Sequence, residues 1–140
     1  MYIASLQMLA VGRANIWIDF DLFRNSGQGP DTQTLLHYDA GRWVQIAVPR
    51  GWIFRSSNLA ADGRGGVWLA LADQRPFGTE MYDYRHGHWS RGVVLARPGR
   101  FTMITSIARI PGTRRAWAVG YAGYIRGNPR SYGVLYEYRP

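Results

Sequence analysis

The chain has 140 residues, which suits one domain with a sizeable core, and it has no cysteine, which excludes disulfides and thiolate metal sites. Its net charge of +8 is carried by arginine alone, since no lysine occurs. The arginines are scattered from Arg13 to Arg139 with no run longer than Arg114-Arg115, so the basic stripe or tail of a nucleic-acid binder is missing and specific nucleic-acid binding is not expected.

From the N-terminus, "MYIASLQMLAVGRANIW" lacks a basic leader region and a clear cleavage site, so no signal peptide is expected, and no apolar run is long enough for a membrane span. The stretch "LAVGRANIWIDF" (9–20) then introduces a pattern that returns as "AADGRGGVWLAL" (60–71) and "RIPGTRRAWAVG" (109–120). In each, a glycine precedes a tryptophan by five positions: Gly12 and Trp17, Gly63 and Trp68, Gly112 and Trp117. A second element follows. "TLLHYDAGRWVQIAVP" (34–49) aligns with "EMYDYRHGHWSRGVVLA" (80–96), and "GVLYEYRP" (133–140) matches only the front half, placing Tyr38, Tyr84 and Tyr138 at one repeat position. Trp43 and Trp89 share another and are expected to cover the outer strand.

Each complete unit reads as four short strands. In the second unit they are "SSNLAAD", "GVWLALA", "TEMYDYR" and "HWSRGVVLA", with aromatic and β-branched residues inside the runs and Gly, Asp, Asn or Pro between them. No window of helical periodicity is long enough to compete. Four antiparallel strands recurring about every fifty residues are the signature of a β-propeller blade. The predicted fold is therefore all-β, a partial β-propeller of three four-stranded antiparallel blades, the last lacking its outer strand. The blades run over about 4–50, 54–97 and 101–140 of a single domain.

On "DGRGGVWLAL" followed by "MYDYRHGHW", the chain resembles propeller repeats of the two-component-regulator sensor and kelch-like type. "RWVQIAVP" and "IARIPGTRRAWAVG" are similar to repeats of actinobacterial propellers. The resemblance covers nearly the whole chain and implies a fold, not an activity. Trp17, Trp68 and Trp117 are expected to pack between blades, and Gly12, Gly63 and Gly112 to shape the turns before them. Three blades leave two blade faces open to water, so the expected partner is a second copy closing a six-bladed ring, or the remaining blades of a larger protein.

Antiparallel strands place the long connections at 21–33, 73–79 and 121–132 on one end of the sheets, together with those at 49–56 and 96–102. Arg24, Trp52, Arg75, Phe77, Tyr124 and Arg126 on that end are the candidate ligand contacts, because arginine beside aromatic rings suits carboxylate, phosphate or sugar recognition. His86 and His88 form an H-x-H pair at a tight turn with no third ligand, so neither a metal nor another cofactor is expected. Asp19 and Asp21 could line one strand face, but the second unit carries no matching acids and no catalytic constellation is predicted. The reading that follows is a non-enzymatic binding or scaffold module for a protein, peptide or glycan. The alternative is a glycan-active hydrolase or lyase with an axial site assembled across chains, drawing on Asp21, Asp31, Asp73 and Glu80.

Overall fold

The computed structural model of the chain describes residues 2–23, 32–48, 57–73, 78–94, 100–124 and 131–139. Among them are eleven strands, and no helix is long and apolar enough to cross a membrane. The first antiparallel sheet is β1 (Tyr2–Gly12), β2 (Asn15–Phe23), β3 (Thr32–Asp39) and β4 (Arg42–Ile46), each strand pairing with the next. The second is β5 (Ser57–Ala61), β6 (Val67–Asp73), β7 (Gly78–Arg85) and β8 (His88–Val94). A third, of three strands, comprises β9 (Arg100–Arg109), β10 (Ala116–Tyr124) and β11 (Tyr132–Tyr138). Sheets of four, four and three strands are those of an all-β partial propeller whose last blade is short of its outer strand. The chain divides into two compact units, Met1–Arg55 with the first sheet and Ser56–Pro140 with the other two.

Turn chemistry fixes the registers. Ala40 and Gly41 have φ of 46° and 94°, and His86 and Gly87 have 48° and 83°. Two successive left-handed residues make the type I′ turn, whose twist matches that of the flanking strands, and a glycine at the second place makes it accessible. The pairs Asp39↔Arg42 and Arg85↔His88 close these hairpins, and the next pairs set Tyr38 on Trp43 and Tyr84 on Trp89 with ring centroids 5.2 and 4.9 Å apart.

The turns before the repeated tryptophans are less alike than their glycines suggest. Gly63 and Gly112 have φ of 79° and 73°, as a left-handed turn position requires. Gly12 is not left-handed: it ends β1 paired with Asn15, and a Cβ there would meet nothing within 4 Å. The second turn is held by Asp62, buried, whose Oδ1 accepts from the amides of Arg64 and Gly66 at 2.6 and 2.9 Å. Arg85 Nε donates to Asp62 Oδ2 at 2.7 Å, tying that turn to the β7–β8 hairpin.

In the second unit the two sheets pack face to face. Ala60, Trp68, Ala70 and Met81 of the second meet Ile104, Ile107, Ala116, Ala118 and Tyr138 of the third, all buried. Trp68 and Tyr138 meet edge to face, centroids 5.6 Å apart. β9 carries an extra residue, Thr105, because Val119 pairs with Ser106 and Gly120 with Ile104. β9 is an edge strand of the third sheet, and its outward backbone groups must bond elsewhere. Here Thr79 Oγ1 accepts from the Ile104 amide and donates to the Thr102 carbonyl, while Asn58 Nδ2 donates to the Ile104 carbonyl. Gly120 is required at this place, since a Cβ would overlap the Met103 carbonyl oxygen.

The tryptophan pattern is only partly met. Trp17 and Trp68 are each 1% exposed, but Trp117 is 44% exposed. The reason lies in the sheet: Ala116 and Ala118 take the face of β10 that the second sheet covers, leaving Trp117 and Val119 on the other.

Candidate functional site

Of the candidate ligand contacts, Arg24, Trp52, Arg75, Phe77 and Arg126 lie outside the described residues. Tyr124 is described. It ends β10 with its side chain 48% exposed, and Tyr132, 41% exposed, begins β11 on the far side of the long connection. Across β9 and β10, Phe101 and Tyr121 meet edge to face at 6.0 Å, and the Tyr121 hydroxyl donates to Met103 Sδ at 2.8 Å. The end of the third sheet toward its long connection is thus aromatic.

A dense polar cluster among the described residues of the first sheet lies on the Trp17 face of β2. Strand alternation puts Trp17, Asp19 and Asp21 on one side, and all three are about 1% exposed. Cross-strand pairing sets His37, Leu35 and Gln33 of β3 opposite them. Trp17 stacks on His37 with centroids 3.7 Å apart. The Trp17 indole N–H donates to Asn15 Oδ1 at 2.7 Å, and His37 Nε2 lies 3.0 Å from the same oxygen. Gln33 Nε2 donates to Asp19 Oδ1 at 2.9 Å, while Asp19 Oδ2 and Gln33 Oε1 are buried without a hydrogen bond.

That environment disfavours charge. Burial, with a smaller push from Asp21 and against the pull of the Gln33 hydrogen bond, raises the Asp19 pKa from 3.8 to about 7. A proton on Oδ2 turns a buried acceptor with no donor into a donor. Burial also lowers the His37 pKa, opposed by nearby Asp39, so the ring stays neutral at ordinary pH.

The other acids are differently engaged. Glu80 accepts from the Tyr82 hydroxyl and the Arg91 guanidinium. Asp31 and the Asp73 side chain lie outside the described part, so the four-acid set is not assembled among the described residues. Asp83 bonds Arg85 at 2.9 Å, and burial raises its pKa. His86 sits in its left-handed turn with His88 beyond Gly87, so the pair does not share a strand face. Among the described residues no three His, Cys, Asp or Glu side chains are grouped to hold a metal ion.

Asn15, Gln33 and His37 are the members of the β2–β3 cluster that sequence reasoning passed over. The available signal was register: residues two and four after a buried tryptophan share its face, and their strand partners join them. No protein-family model matches the chain, and no curated protein is significantly similar to it.

Proposed function

We propose that the chain is a non-enzymatic binding or scaffold module: a partial β-propeller that presents the long-loop end of its sheets to a protein, peptide or glycan, completed by self-association or by further blades. The observation that carries this reading is the pair of exposed tyrosines, Tyr124 and Tyr132, at the base of the long connection after β10. A tyrosine offers a rigid ring for stacking and a hydroxyl for hydrogen bonding at little entropic cost, which suits both sugar and peptide ligands. The connection they flank contributes Arg126 and Arg130, whose guanidinium groups suit carboxylates and ring faces. By contrast the strongly perturbed acid, Asp19, is sealed from solvent, where no substrate reaches it. Glycan and peptide arrays test the reading. A signal weakened at least tenfold by Tyr124→Ala, with further loss on changing Trp52, Arg75, Phe77 or Arg126, is expected; a signal indifferent to all of them refutes the choice of surface.

A further inference from the structure

The turns "DGRGG" (62–66) and "IPGTRR" (110–115) both belong to the second unit, at the end of its sheets away from the long connections. The two turns meet over one side chain. A Cβ on Gly63 would overlap the guanidinium of Arg109, the last residue of β9, and Arg109 Nε donates to the Thr113 carbonyl at 2.8 Å. That head group is therefore held between the turns, against Gly63 of one and Thr113 of the other. The β9–β10 turn is closed by its own bonds: the Ile110 amide donates to the Arg115 carbonyl at 2.8 Å, and the Thr113 hydroxyl links the Ile110 carbonyl to the Arg115 amide.

The residue after each contact is an exposed arginine, Arg64 after Gly63 and Arg114 after Thr113. Burial raises the Asp83 pKa, and Arg85, Arg114 and Arg64 are each near enough to pull against that, so the two turns share one electrostatic environment. The carboxylates nearby have other partners. Asp62 and Asp83 both accept from Arg85, while Arg115 and Arg139 share Glu137 at 2.7 Å each. Among the described residues, Arg64, Arg109 and Arg114 have no ion pair with a carboxylate. With Arg85 they set four arginines against the two aspartates, an excess of two positive charges. An exposed guanidinium is ordinarily satisfied by water, but Arg109 is half-buried and fixed at Nε, and its two Nη groups have no acceptor among the described residues. Donors held in place ahead of any acceptor are what a preorganised anion site requires.

We propose that Arg64, Arg109 and Arg114 bind a phosphate dianion, free or as a monoester, between the β5–β6 and β9–β10 turns. The anion follows from charge and from oxygen count. A carboxylate brings one charge and two oxygens, and so does a phosphodiester; a phosphate monoester brings nearly two charges and three terminal oxygens, which match the excess charge and offer one oxygen to each guanidinium. The site is at the opposite end of β10 from Tyr124 and does not rest on the ligand surface proposed above.

Isothermal titration calorimetry of the full chain with inorganic phosphate and with phenyl phosphate, at pH 7.5 and at an ionic strength held constant with chloride, tests the proposal. Saturable one-to-one binding is expected. Arg109→Gln should weaken it about tenfold, as the loss of a charge-assisted donor group does, and Arg64→Ser and Arg114→Ser should each weaken it severalfold. Arg139→Ser removes the same charge from an arginine paired with Glu137 and should change the affinity by less than about twofold, since a remote exposed charge is screened. Diethyl phosphate should bind about tenfold more weakly than phenyl phosphate, for want of a charge and an oxygen. Phenyl phosphate binding at least as tightly as inorganic phosphate assigns the site to a monoester; the reverse preference assigns it to the free ion.

Circular dichroism checks that each variant is folded. Should Arg109→Gln not fold, the double variant Arg64→Ser/Arg114→Ser, altered only at exposed side chains, decides in its place. No saturable binding of either anion, equal losses for Arg139→Ser and the two turn variants, or diethyl phosphate binding as well as phenyl phosphate would overturn the proposal. Tyr124→Ala should leave phosphate affinity unchanged, so failure of this site and failure of the long-loop surface are told apart.

Discussion

Replacing Asp19 by asparagine should stabilise the protein, and by an amount that depends on pH. Asparagine keeps an oxygen for the Gln33 amide and places an N–H where Oδ2 now lies without a donor. In the wild type the folded state holds the Asp19 proton up to about pH 7, whereas the unfolded chain releases it near 3.8. Between those values the native state binds more protons, so stability falls as pH rises, by about 1.4 kcal/mol per unit, and levels off above pH 7. The accumulated penalty is on the order of 4 kcal/mol, a large part of the stability of a small domain.

Asp19→Asn should therefore be close to neutral at pH 4, more stable by about 2 to 4 kcal/mol at pH 8, and show its gain building through the interval between. His37, with its lowered pKa, has the opposite sign and costs stability as pH falls below 6.5; Asp83, with its raised pKa, has the same sign as Asp19. Both groups are common to the two chains and drop out of the difference. Urea titrations at pH 4, 5, 6, 7 and 8, followed by tryptophan fluorescence, measure it directly, and Trp17 stacked on His37 reports from the same sheet. A difference flat across pH, or a variant less stable than wild type at pH 8, would refute an acid held protonated by burial.

Trp68→Ala removes the indole that fills the core between the second and third sheets and should cost about 3 to 5 kcal/mol in thermal or urea unfolding. Arg85→Met strips the buried Asp62 of its guanidinium and should cost about 3 kcal/mol, with increased amide exchange at Arg64 and Gly66, whose amides that carboxylate holds. Among the glycines, Gly120→Ala should abolish stable folding of the second unit because the added carbon overlaps the Met103 carbonyl oxygen. Gly12→Ala, with open space at its Cβ and no left-handed φ, should change stability by less than about 0.5 kcal/mol. Equal losses for those two substitutions, read by circular dichroism melts, would contradict the distinct roles assigned to them.

The fold was legible because turn and strand chemistry agree locally. Ala40-Gly41 and His86-Gly87 need left-handed backbone, and the alternating aromatic runs on either side need a pleated surface, so the hairpins could be placed from residues alone. The bulge at Thr105 was not legible. No local preference of "FTMITSIAR" announces it, and the groups that bond the neighbouring Ile104 backbone, Thr79 and Asn58, come from another sheet. The Asp19 environment falls between the two. Its face could be deduced from Trp17, two residues earlier, but the degree of burial that moves its proton equilibrium depends on everything packed against that face.

Trp117 marks the difference between what a repeat specifies and what a chain supplies. Three tryptophans at one repeat position share a local geometry, and for Trp17 and Trp68 burial accompanies it. Local sequence sets the face on which each indole lies; a neighbouring sheet must supply the cover, as the third sheet does for Trp68, whereas the second sheet covers the opposite face of β10 from Trp117. The same logic separates Asp19 from its counterparts Ala70 and Val119, each two residues after its tryptophan: the position fixes the face alone, and the residue is free to be core, acid or exposed according to what covers it.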